Sequence, residues 1–183
     1  MLNLAGRTSP RLLALAFLAS AACAPRVPGT APAAARASDF TLRALDGSTV
    51  HLSDHLGRDV VLLSFWATWC KPCLGEVPHL EALHQKYKGQ GLAVLSVSMD
   101  GPETLADLEP TARRYGITYP VLLDEDTRVV SLFNPARDAP FTVIIGRDGR
   151  VAETRVGFAP GDEKVLDEHL KTLLAASAEG PAK

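Results

Sequence analysis

The sequence predicts an α/β fold: a mixed central sheet with helices on both faces and a strand extension on its N-terminal side. Three observations carry that expectation. The runs from Val60 to Trp66 and from Leu92 to Ser98 are almost continuously apolar, as expected of strands covered on both faces. Between them, Leu74, Val77, Leu80, Leu83 and Tyr87 recur at helical spacing. Further on, Phe141 to Ile145 and Val151 to Val156 flank the turn residues Arg147, Asp148, Gly149 and Arg150, a hairpin signal, and a helical pattern follows. Strand–helix–strand alternation that closes on a hairpin and a helix gives a mixed sheet clad on two sides.

The elements follow in order. Asp39 to Leu45 and Thr49 to Leu52 read as short strands around the turn Asp46-Gly47. Ser53 and Asp54 suit the start of a short helical turn. The helix after Val60–Trp66 covers residues 71 to 88; Pro78 is expected to kink it, and Gly89 and Gly91 end it. Glu103 to Tyr115 reads as a helix closed by Gly116, Val121 to Leu123 as a short strand, and Thr127 to Phe133 as a short helix. Asp162 to Ala175 is the final helix, with Val165, Leu166, Leu170, Leu173 and Leu174 expected to face inward.

The chain of 183 residues has room for one domain plus extra segments. A net charge of -2 with 46% hydrophobic residues excludes a basic nucleic-acid binder and a disordered acidic protein. The extra segments lie at the ends. Arg7 and Arg11 precede an apolar or small-residue run from Leu12 to Ala22, too short to span a bilayer, which takes about 20 apolar residues. That run suits residues 1–22 as a secretory signal. It ends in small residues directly before Cys23, which resembles a bacterial lipoprotein signal whose cysteine is lipidated. Ser20 stands three residues before Cys23, where such signals usually carry Leu. Cleavage without lipid at Ala19-Ser20-Ala21 or Ala22-Cys23-Ala24, and an uncleaved anchor, are the alternatives; all three export the domain. Residues 23–37 are rich in Ala and Pro and read as a tether, 38–176 as the folded domain, and 177–183 as a flexible tail.

The chemistry is concentrated in Trp69-Cys70-Lys71-Pro72-Cys73. Three cysteines are present, and Cys70 and Cys73 stand two residues apart between the apolar strand and the helix. The partial positive charge of a helix N-terminus stabilises a thiolate, and Lys71 adds charge nearby. The pattern points to a redox Cys-x-x-Cys pair, with Cys70 exposed and attacking and Cys73 resolving. Half a zinc site is the structural alternative. It needs two further ligands, and the spacing of His79 and His84 after Cys73 reproduces no common zinc pattern. Glu76, one helical turn beyond Cys73, is placed to accept or deliver that thiol's proton, unless it is a solvated surface residue. Pro72 sets the backbone of the first turn. Trp69 is expected to shield Cys70 and to offer an apolar docking surface, Trp66 to lie in the core, and His51, His55 and His169 to lie at the surface. No metal site or cofactor is expected.

Asp39-Phe40-Thr41-Leu42, Asp46-Gly47, the string Phe65 to Cys73, Glu76-Val77-Pro78 and Pro140 before the hairpin together resemble the TlpA/ResA-type thioredoxins. These are exported, membrane-tethered thiol–disulfide oxidoreductases. The resemblance implies a thioredoxin-like fold over nearly the whole folded part. It implies a cis bond between Ala139 and Pro140, with the proline facing the disulfide and the Ala139 backbone free to pair with a substrate strand, so that both help to bind substrate. It also implies that Glu76 replaces the strand carboxylate of thioredoxin, whose position is occupied here by Ser64. Phe141 stands where a small Thr is more usual. The implied partners are protein disulfides, in cytochrome c maturation or copper-site assembly, and a membrane thiol–disulfide electron donor. Two alternatives remain. A peroxiredoxin-like peroxidase places Thr three residues before its reactive cysteine, where this chain has Ala67. A Sco-like copper chaperone spaces its cysteines by three residues.

Overall fold

A computed structural model describes residues 35–178 of the chain. They form a seven-stranded sheet with strand order β2-β1-β5-β4-β3-β6-β7. The strands are β1 (Thr41–Ala44), β2 (Thr49–His51), β3 (Val60–Trp66), β4 (Leu92–Ser98), β5 (Val121–Leu123), β6 (Phe141–Ile145) and β7 (Val151–Val156). β3, β4 and β5 run parallel; β6 is antiparallel to β3, β7 to β6, β1 to β5, and β2 to β1. The helices are α1 (Lys71–Tyr87), α2 (Leu108–Arg114), α3 (Arg128–Phe133) and α4 (Asp162–Ala178).

All seven residues of β3 are buried, so the continuous apolar run is an interior strand, as its composition requires. Its side chains alternate between two cores. Val60 and Leu62 pack with Val94 and Ile144 beneath Leu80, Leu83 and Tyr87 of α1 and Leu166, Leu170 and Leu174 of α4. Val61, Leu63 and Phe65 pack on the other face with Phe40, Leu52, Val129 and Val130.

Several boundaries differ from the sequence expectation for identifiable reasons. β1 begins at Thr41 because the Asp39 carboxylate turns back to accept from the backbone N–H groups of Phe40 and Ser53. The helix expected from Glu103 becomes a 3-10 turn (Leu105–Asp107) followed by α2. Pro110 has no N–H to give to a preceding turn and is tolerated only near a helix start, which fixes α2's first residue close to it. α1 is continuous past Pro78. α4 continues to Ala178, and Val165 is 48% exposed rather than inward-facing. Leu166, Leu170 and Leu174 form the i, i+4, i+8 stripe that packs on the sheet, and Val165 lies one residue, or about 100°, off it. Residues before Ser38 already join the fold: the Ala37 N–H bonds the Gly149 carbonyl and the Val151 N–H bonds the Ala35 carbonyl. The hairpin turn holds Gly149 at a φ of +75°, a conformation its lack of a Cβ permits. Cys23 and the proposed signal, most of the tether, and residues 179–183 of the tail lie outside the described residues.

Candidate active site

β3 ends at Trp66, and α1 begins at Lys71 after a loop of four residues. Cys70 is the residue that caps α1, and Pro72 lies in the first turn, where a missing N–H is harmless. The Cys73 N–H donates to Cys70 Sγ at 3.3 Å, so a main-chain dipole points at the first sulfur. The two cysteines are joined as a disulfide.

The loop between β3 and the disulfide is pinned by Asp100. Its carboxylate accepts from the Thr68 N–H at 3.1 Å, the Thr68 hydroxyl at 2.6 Å and the Ser98 hydroxyl at 2.9 Å. Sequence reasoning overlooked Asp100. The available signal was its place two residues after the apolar strand Leu92–Ser98, just beyond the end of β3.

Cys70 is less open than the sequence suggested. It is 5% exposed, against 1% for Cys73. Both cysteines belong to a cluster with Trp66, Ala67, Val77, Leu108, Ala112 and Val121, so α2 contributes to the wall around the pair. The order of accessibility agrees with expectation; the open position of Cys70 does not. Trp69 is 57% exposed beside the motif, Lys71 and Pro72 are exposed, and Trp66 is in the core. The Ala139–Pro140 bond is cis, and Ala139 packs against the cysteine cluster. Phe141 belongs to the opposite core, its ring 6.0 Å from that of Phe65, and so stays away from the disulfide.

Glu76 is not a surface residue: it is 4% exposed. The Thr142 hydroxyl donates to its Oε1 at 3.3 Å. Burial pushes its carboxyl from 4.5 up to about 7, opposed by the Thr142 hydrogen bond and the positive charge of Arg155. Thr142 escaped the sequence reading because only strand register brings it under α1. The histidines divide. His51 and His169 are exposed, whereas His55 is half-buried and bonded to Asp59 at 2.9 Å. His79 stacks near Phe158 and His84 packs edge-on to Tyr119.

A disulfide-linked Cys-x-x-Cys at a helix start, beside a cis-proline and a buried carboxyl, on a sheet of this order, defines a thiol–disulfide oxidoreductase of the thioredoxin-like fold. Residues 33–154 match the AhpC/TSA family. The thiol–disulfide oxidoreductase ResA of Geobacillus kaustophilus (strain HTA426) is 34% identical over 137 residues, 75% of each chain. Among solved structures, a Chlorobium tepidum protein described as a candidate thiol:disulfide interchange protein DsbE is 31% identical. It matches with a TM-score of 0.71, covering 77% of this chain and 96% of that one. The pneumococcal exposed lipoprotein thioredoxin of Streptococcus pneumoniae strain TIGR4 is 30% identical with a TM-score of 0.62, covering 74% of this chain and all of that one. The chain belongs to the AhpC/TSA family, among its ResA-like thiol–disulfide oxidoreductases.

Proposed function

We propose that this oxidoreductase is exported and reduces disulfides of protein substrates, with Cys70 as the attacking thiol. The observation that carries the assignment is the Cys70 sulfur at the cap of α1, the less buried of the two and in receipt of the Cys73 N–H. In the reduced protein the Cys70 thiolate attacks a substrate disulfide, forming a mixed disulfide and releasing one substrate thiolate. Cys73 then gives its proton to the Glu76 carboxylate and attacks Cys70 Sγ. The Cys70–Cys73 disulfide forms and the second substrate thiolate leaves, so the substrate gains two electrons and the protein loses them. Trp69, Lys71, Pro72, Ala139 and Pro140 form the surface against which substrate docks.

The Leu12–Ala22 run before Cys23 supports export with a lipidated Cys23 and the Ala/Pro-rich stretch after it as a tether to the catalytic domain. The similarity to an exposed lipoprotein thioredoxin supports the same reading. In that setting a membrane thiol–disulfide protein resupplies electrons, and the substrates are apocytochrome c cysteines or those of copper-site assembly proteins. Variants test the roles. Cys70→Ser abolishes reduction of insulin, and Cys73→Ala accumulates substrates linked through Cys70. Complexes that instead form through Cys73 in the Cys70→Ser protein reverse the assignment.

A further inference from the structure

The sheet face beneath α1 and α4 is apolar at Val60, Leu62, Val94 and Ile144. At one register level it changes character. Ser64 of β3 lies opposite Ser96 of β4 and opposite Thr142 of β6, and Thr142 lies opposite Arg155 of β7. Residues directly opposite across paired strands project from the same face. Ser96, Ser64, Thr142 and Arg155 therefore form a polar row across four strands, and Glu76 of α1 sits over it, hydrogen-bonded to Thr142.

The row ends in a charge that no strong contact consumes. Arg155 has a side chain only 20% exposed, with Nε 3.9 Å from Glu153 Oε1 and Nη2 3.6 Å from Asp162 Oδ1, both beyond hydrogen-bond length. Its Nη1 is buried with no hydrogen-bond partner. A buried guanidinium in that condition is costly unless its field is used nearby. Glu76 stands over the same face at the Thr142 register, and the positive charge of Arg155 opposes the burial that raises its carboxyl.

We propose that Arg155 is a positioning residue for thiol exchange: from the Thr142 register of the sheet it supplies the positive field that lets Glu76 ionise, and so take the Cys73 proton. This rests on the assignment of Glu76 as the base. Asp162 at the start of α4 acts in the opposite sense, both on Glu76 and as a competing partner of Arg155. Tyr119, before β5, is the other titratable group that senses Glu76. Glu153, itself paired with His169 of α4, faces Arg155, while His79 of α1 acts on Glu163 of α4. From β3, β4 and β6 the row contributes only neutral hydroxyls. The proton passes from Cys73 Sγ to the ionised Glu76 and returns in the reverse reaction; Arg155 keeps its own proton throughout.

The test is single-turnover reduction of a disulfide substrate by the pre-reduced full chain, followed from pH 5 to 9. Arg155→Met is expected to move the midpoint of the resolving step upward by about one pH unit, about tenfold in rate on the acid limb. Arg155→Lys restores most of that shift. Asp162→Asn moves the midpoint the other way; it is half exposed, and the substituted amide oxygen retains the bond its carboxylate accepts from the Ala159 N–H. In a Glu76→Gln background neither Arg155→Met nor Asp162→Asn has a further effect. A wild-type profile for Arg155→Met, with an altered Glu76→Gln profile, overturns the role of Arg155 and leaves Glu76 as the base. A shift that persists without the Glu76 carboxyl also overturns it. A Glu76→Gln profile that overlays wild type removes the base itself, and the Arg155 proposal with it. Should Arg155→Met fail to fold, Arg155→Gln is read against the same outcomes.

Discussion

The buried Glu76 carboxyl makes stability depend on pH in a direction opposite to most carboxylates. In the unfolded chain it loses its proton near 4.5, whereas burial raises the folded value to about 7. Between those values the folded state holds one more proton than the unfolded state. Stability therefore falls as pH rises, by about 1.4 kcal/mol per pH unit, and levels off above about pH 7. The whole gap amounts to about 3 kcal/mol, a large part of the 5–15 kcal/mol or so that holds a domain together. Glu76→Gln preserves the side chain's shape and an oxygen for the Thr142 hydroxyl but removes the ionisation. The variant should match wild type at pH 4 and exceed it by up to about 3 kcal/mol at pH 8. Urea unfolding of the oxidised proteins, read through Trp66 and Trp69 fluorescence across that range, measures the difference. A wild-type-minus-variant difference that stays flat from pH 4 to 8 refutes the claim that Glu76 is held protonated by burial.

Two further predictions concern packing and address. Leu170, fully buried in α4 over the β3–β6 face, should cost about 3 kcal/mol of unfolding free energy on truncation to Ala, whereas Val165→Ala should change stability little; equal losses would place α4 at a different rotation. Mass spectrometry of the mature protein should find an N-terminus at a lipid-modified Cys23. An intact, unmodified chain starting at Met1 in the cytoplasm would refute export.

The parts of the fold read correctly from sequence are those whose signal is local and repeated. Val60–Trp66 and Leu92–Ser98 match β3 and β4 residue for residue, because a strand buried on both faces must be apolar throughout. The hairpin follows from its turn residues and the two strands beside it. α2 starts at Leu108 rather than Glu103 because Pro110, with no N–H to give, fits only the first turn of a helix. The disulfide position was legible, because cysteine spacing at a strand-to-helix junction has few other readings. The enclosure of Cys70 was not, since Leu108 and Ala112 reach it from a helix far along the chain. Thr142 and Arg155 were hidden for a related reason: their meeting with Glu76 depends on pairing register, which sequence periodicity does not encode. A faint trace existed, in that Ser64 and Thr142 interrupt two otherwise apolar strands.

The latch at residues 35–37 gives the domain a polarity. It grips the β6–β7 turn, which lies at the Val61 end of β3, while the disulfide follows the Trp66 end. Seven residues of strand separate the two poles, about 20 Å. A pull on the chain from upstream of Ala35 is thus borne by main-chain bonds to Gly149 and Val151 rather than by the loop that carries the cysteines. The chain therefore enters the domain at the pole opposite the disulfide.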